Sequence, residues 1–163
     1  MKKKRILLID DEVSFTRLLK LNLEQTNEYE VRVANWAEDA LPAAREFRPD
    51  LVLLDVIMPR MVGGDVAARL RADANLKATP IVFFTAAISK TRVKEHDGVI
   101  SGFPFLAKPA SVEEVIDQIE QRLPKAPPAG HTPPPDNSVL EFVDTIAKTS
   151  SRDRTVNAHQ LLS

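Results

Sequence analysis

No cysteine occurs among the 163 residues, so disulfides, thiolate zinc sites and thiol nucleophiles are all excluded. That absence fits a reducing compartment, and a cytoplasmic location is expected. No apolar run approaches the roughly 20 residues of a spanning helix. The opening Met1-Lys2-Lys3-Lys4-Arg5 leads into only four apolar residues before Asp10, which is neither a signal peptide nor an anchor. Excess charge of one sign is also missing. A formal net charge of −1 gives no global pull toward nucleic acid, and the basic opening reads as a solvated entry to the first strand. The three histidines, His96, His131 and His159, are scattered without a second ligand at useful spacing, so none is assigned a metal or phosphotransfer role. The single tryptophan, Trp36, is expected to cover the edge of a helix, and no internal repeat is visible.

What is present is a hydrophobic content of 44%, enough for one ordinary domain with a real core plus an appendage. Through residue 123, short β-rich apolar runs alternate with helical patterns. Arg5 to Ile9 reads as a strand, and Glu12 to Gln25 as a helix with Phe15, Leu18, Leu19, Leu21 and Leu23 at its apolar positions. Tyr29 to Ala34 reads as a strand, followed by a helix from Ala37 to Phe47 in which Pro42 predicts a bend. Leu51 to Leu54 is a continuous apolar strand, and Gly63-Gly64 breaks the chain before a helix from Asp65 to Ala72. Ile81 to Phe84, a polar helix from Ser89 to Asp97, Phe103 to Ala107 as a fifth strand and a helix from Val112 to Leu123 complete the series. Strands this apolar, each followed by a helix, predict a doubly wound α/β fold: a five-stranded parallel sheet with helices on both faces.

Composition changes at Pro124. Residues 124–137 are proline-rich and are expected to form a linker, whereas Ser138 and Glu141 make a capping box ahead of a short amphipathic helix carrying Val139, Phe142, Val143, Ile146 and Ala147 on one face. The expected organisation is therefore a domain over 1–123, a linker over 124–137, and a helix with a polar tail over 138–163.

Ligands of a doubly wound sheet collect outside the carboxyl ends of its strands. Those ends carry Asp10 and Asp11 after the first strand, Asp55 after the third, Thr85 after the fourth and Lys108 after the fifth. Crowded carboxylates persist where a cation or hydrogen-bond donor meets them, and three of them offer oxygen ligands to a hard ion such as Mg²⁺. Asp55 can act as a nucleophile on phosphorus, Thr85 can donate to a phosphoryl oxygen, and Lys108 supplies a point charge to the transferring group.

RILLIDDE, LVLLDVIMPRMVGGD, PIVFFTAA and FLAKP, in this order and spacing, resemble the receiver (phosphoacceptor) domain of bacterial two-component response regulators over residues 4–123. The resemblance implies a flavodoxin-like fold and phosphorylation of Asp55 by a sensor histidine kinase or a histidine phosphotransfer protein. It further implies Mg²⁺ held directly by Asp11, Asp55 and the backbone carbonyl of Ile57, with Asp10 helping through water. Thr85 and Lys108 would bind the phosphoryl group, Phe105 occupies the position of the aromatic switch, and Lys108-Pro109 matches a cis peptide bond. Ile57 and Ala87 stand where side chains commonly influence hydrolysis of the aspartyl phosphate. One stretch departs from the pattern: HDGVISGFP, residues 96–104, replaces the usual small residues before the fifth strand and predicts a short or displaced fourth helix.

Two other classes share the same residues. A metal-dependent phosphoryl hydrolase needs a capping element and a second acid beside the nucleophile, where this chain has Val56 and Ile57. A degenerate receiver acting as a binding scaffold would not need the full reactive set. About 26 residues beyond the linker are too few for a helix-turn-helix module with its own core. The sequence is therefore read as a stand-alone receiver, not itself an enzyme, that signals to a downstream protein by contact, without direct DNA binding or membrane attachment.

Overall fold

The computed structural model describes residues 2–123. The expected linker and C-terminal helix lie outside the described residues.

Five strands, β1 (Lys4–Ile9), β2 (Tyr29–Ala34), β3 (Leu51–Leu54), β4 (Ile81–Thr85) and β6 (Phe103–Ala107), run parallel, and a short β5 (Val99–Ile100) adds an antiparallel edge. The order across the sheet is β2-β1-β3-β4-β6-β5. Five helices, α1 (Val13–Gln25), α2 (Ala37–Phe47), α3 (Gly63–Ala72), α4 (Lys90–Glu95) and α5 (Val112–Arg122), complete the described chain.

Side-chain alternation divides the core into two layers. Ile6, Leu8, Leu51, Leu53, Val82 and Phe84 face one side and pack with Leu19 and Leu23 of α1 and Val115 and Ile119 of α5. Leu7, Ile9, Val52, Leu54, Ile81 and Phe83 face the other, against Ala40, Ala44 and Phe47 of α2 and Val66, Ala67 and Leu70 of α3. Both faces of the central strands are thus dry, which is why their sequences read as unbroken apolar runs.

Several details differ from the sequence reading. The sheet has a sixth strand because Ser101 (φ 51°) and Gly102 (φ 83°) both take positive φ, the requirement of a tight two-residue hairpin turn, so Ile100 pairs with Phe103. Helix α4 keeps six residues of the expected span from Ser89 to Asp97 and has no buried side chain, the short fourth helix that residues 96–104 predicted; it ends before Asp97 and Gly98, which both take positive φ (53° and 77°). On α1, Leu18 and Leu21 are exposed, because the buried stripe runs through Thr16, Leu19 and Leu23 with Phe15 partly covered, and at helical spacing Leu18 and Leu21 fall outside it. Helix α2 takes its expected span, Ala37–Phe47, with Pro42 inside it.

The end of the sheet opposite the acids is tied by Lys4, whose Nζ pairs with Glu120 at 2.7 Å, and by the Tyr29 hydroxyl, which donates to the same carboxylate. Burial first, and then the Glu120 acceptor, push the Tyr29 phenol above its usual range. Together they pin the last turns of α5 to β1 and β2.

Candidate functional site

Register places the reactive residues together. Ile9 aligns with Leu54, Leu54 with Phe83, and Thr85 with Ala107, so Asp10, Asp55 and Lys108 each stand one step past a paired strand end. The strand order reverses direction between β1 and β3, and the acids lie at that crevice. Carboxylate oxygens of Asp10, Asp11 and Asp55 all lie within 4.8 Å of one another. Asp10 and Asp55 are buried, and Asp11 is partly exposed.

Lys108 supplies the opposing charge. Its Nζ pairs with Asp10 Oδ2 and stands 3.9 Å from Asp55 Oδ2. The ammonium also sits 4.3 Å from the ring centroid of Phe15 and 5.6 Å from that of Phe84, so aromatic faces shield the cation while it meets the acids. Burial pushes Asp55 up to about 6 from an ordinary 3.8, and Asp10's charge adds to the rise; Lys108, with the Thr85 hydroxyl and the Ile57 amide, opposes it. The pocket therefore lacks positive charge: one ammonium faces three carboxylates.

Backbone geometry fixes each group. The Asp55 amide donates to the Ile9 carbonyl at 2.9 Å, and the Lys108 amide donates to the Thr85 carbonyl at 2.9 Å. The Thr85 hydroxyl oxygen accepts from the Ala87 amide at 3.1 Å. The Lys108-Pro109 peptide is cis. After Asp55 the chain folds back, Ile57 bridges to Val62, and the Gly63 amide donates to the Val56 carbonyl at 2.7 Å. A Cβ on Gly63 would lie 2.1 Å from the Asp55 carbonyl oxygen, so only glycine permits this approach.

Asp10, Asp11, Asp55, Thr85 and Lys108 are therefore brought to one pocket, with Ile57 on its rim. Phe105 lies away from it, buried to 1% exposure and stacked on Phe83 at 5.0 Å between centroids. Three participants were missed by sequence reasoning. Phe15 was counted only as a core residue, and Gly63 only as a break in the chain. Asn35 was not singled out, although its side chain donates to the Asp10 carbonyl at 2.8 Å. An asparagine directly after a strand, at the level of the acids, was the available signal.

This arrangement of acids, hydroxyl and lysine on a doubly wound sheet defines a class that comparison with known proteins identifies. The family profile for the response regulator receiver domain matches residues 6–120, and the chain belongs to that family. It is 37% identical over 122 residues to the DNA-binding response regulator MtrA of Mycolicibacterium paratuberculosis, an alignment covering 74% of this chain and 52% of that protein. It is 32% identical over 142 residues to the alkaline phosphatase synthesis transcriptional regulatory protein PhoP of Bacillus subtilis, covering 85% of this chain and 56% of the relative. The chain thus spans about half the length of these relatives. Among solved structures, the chemotaxis protein CheY4 of Vibrio cholerae superposes with a TM-score of 0.64 at 29% identity, over 75% of this chain and 100% of that one. The flavodoxin-like receiver fold and the two-component response regulator class follow, and with them a phosphoacceptor signalling role.

Proposed function

We propose that Asp55 is the phosphoacceptor of a receiver domain spanning residues 1–123, and that it takes a phosphoryl group from a histidine kinase or a histidine phosphotransfer protein. The observation that carries this reading is the pocket itself: a buried carboxylate with Lys108 Nζ 3.9 Å away and two further acids within 4.8 Å. In the transfer, an Asp55 oxygen bonds to phosphorus as the nitrogen–phosphorus bond of phosphohistidine breaks, and the electron pair leaves with the imidazole. Lys108 stabilises charge on the phosphoryl oxygens, and the Thr85 hydroxyl donates to one of them.

The donor set fits Mg²⁺: three oxygen anions in a partly open pocket suit a hard ion that keeps several waters. Asp11, Asp55 and the Ile57 carbonyl would hold it, with Asp10 acting through water. When bound, the ion supplies positive charge that offsets the excess of carboxylates and of phosphoryl oxygens. The aromatic switch is assigned to Phe105, whose ring lies against Phe83 on the face carrying α4.

Output through protein contact is favoured over direct DNA binding, since the chain's net charge is −1. The MtrA relatives are DNA-binding regulators by name, and residues 124–163 lie outside the described residues. Among the described residues no helix is long and apolar enough to cross a membrane. A signalling role without substrate turnover completes the reading. Phosphotransfer profiling tests it: label from a phosphorylated histidine kinase should appear on the parent chain and be lost in Asp55→Asn. Turnover of phosphomonoesters would instead indicate a hydrolase, and no label at all a scaffold.

A further inference from the structure

We infer that Asn35 is a positioning residue for the acid pocket, holding the turn that carries Asp10 and Asp11 so that their carboxylates present a preformed Mg²⁺ site. This rests on the Mg²⁺ reading above. The Asn35 side-chain nitrogen donates to the Asp10 carbonyl at 2.8 Å and to Thr16 Oγ1 at 2.9 Å. The Thr16 hydroxyl in turn donates to the Val13 carbonyl at 3.0 Å. One amide therefore grips both ends of the turn, the last residue leaving β1 and the first turn of α1. Its orientation is unambiguous, because the Asp10 carbonyl can only accept.

The grip takes over where the sheet ends. Ile9 and Ala34 are the last aligned pair between β1 and β2, and the Asp10 amide still donates to the Ala34 carbonyl at 3.1 Å. The Asp10 carbonyl needs a partner of its own, and the Asn35 side chain provides it in place of a further ladder bond. The chain can then turn at Asp11. On its other side, Asp10 Oδ1 accepts from the Glu12 amide at 2.9 Å. Asn35 does not serve α2 in the usual manner of an asparagine at a helix entry: the N-cap is Trp36, and no side chain caps that end.

Such restraint matters because the acids repel. With oxygens of Asp10, Asp11 and Asp55 within 4.8 Å, a loosened turn would let Asp11, the least buried of the three, swing away toward solvent. Ion binding would then have to reassemble the site. Groups that orient ligands from behind typically account for about 10–100-fold in metal affinity. Thr16 offers a built-in control. It shares the Asn35 amide and is 1% exposed, but makes no bond to Asp10.

The test is a Mg²⁺ titration of the full chain, followed through backbone amide NMR shifts, on the parent, Asn35→Ala, Asn35→Gln and Thr16→Val, with melting temperatures recorded in parallel. Asn35→Ala should weaken Mg²⁺ about tenfold or more. Thr16→Val should lower the melting temperature but weaken Mg²⁺ by less than about threefold, because the bond to Asp10 survives. Asn35→Gln keeps the amide on a longer arm and should fall between the parent and the alanine variant. If Asn35→Ala does not fold, the glutamine variant against Thr16→Val carries the comparison. Parental affinity in the Asn35 variants, or equal weakening by Thr16→Val, overturns the inference. Absence of Mg²⁺ binding by the parent instead overturns the metal reading on which it rests.

Discussion

Replacing Asp55 with asparagine should change how stability depends on pH in the metal-free protein. Asp55 is held at about 6 against an ordinary 3.8, chiefly by burial. Between those values the folded protein keeps a proton that the unfolded chain has released. The stabilisation associated with the neutral carboxyl is therefore complete below about 3.8 and is lost as pH rises through about 6. Two units correspond to about 3 kcal/mol, an upper figure for a group coupled to Asp10 and Lys108. For a domain of this size that is on the order of 10 °C in melting temperature. The uncharged amide that replaces the carboxyl cannot titrate, so the melting temperature of Asp55→Asn relative to the parent should rise between pH 4 and pH 7.5 by about 5–10 °C. Acids remote from the pocket contribute equally to both proteins and cancel. The assay is thermal unfolding by circular dichroism in chelator-treated buffer across that range. A constant difference between the two proteins, or a parent that gains on the variant as pH rises, would refute the account of Asp55 as an ion held under strain. Mg²⁺ at about ten times its Kd should then restore about 1.4 kcal/mol to the parent at pH 7.5, and less to the variant.

Removing the counter-charge in Lys108→Ala should drive the Asp55 carboxyl above about 6, read from carbon-13 NMR titration; an unmoved midpoint would mean that the lysine does not act on it. Gly63→Ala places a methyl against the Asp55 carbonyl and should cost about 1–3 kcal/mol in urea denaturation while slowing phosphorylation. A parental midpoint would show that the loop yields freely. The side chains of Ile57 and Ala87 cannot hydrogen-bond an attacking water, so Ile57→Asn and Ala87→Glu should each speed loss of phosphoryl label in Mg²⁺. Equal lifetimes in all three proteins would show that apolar side chains at these two positions do not prolong the phosphorylated state.

How much of this was legible in the sequence depended on the range of the cause. The runs at Leu51–Leu54 and from Ile81 to Phe84 announced buried parallel strands because both of their faces are dry, a property each residue carries by itself. Parallel strands in turn make their carboxyl ends meet, so Asp10, Asp11, Asp55, Thr85 and Lys108 could be grouped without coordinates. The two-residue β5 was too short for any periodicity, and only the Ser101-Gly102 pair signalled it. Leu18 and Leu21 were counted among the apolar positions of α1, but they lie off the stripe of Thr16, Leu19 and Leu23 that meets the core, and the burial of a threonine there was not legible from hydrophobicity. Asn35 was least legible of all. Its two partners lie 25 and 19 residues earlier, and its own neighbourhood offers only its place directly after β2 as a signal.

The central claim is that Asp55 accepts the phosphoryl group, and it is tested most directly by intact-protein mass spectrometry after incubation with acetyl phosphate and Mg²⁺, followed by borohydride reduction and peptide mapping. The expected result is one acid-stable, alkali-labile adduct of a single phosphoryl group, dependent on the divalent ion, with Asp55 converted to homoserine on reduction and no adduct in Asp55→Asn. An adduct retained in that variant, or reduction mapped to Asp10 or Asp11, would contradict it.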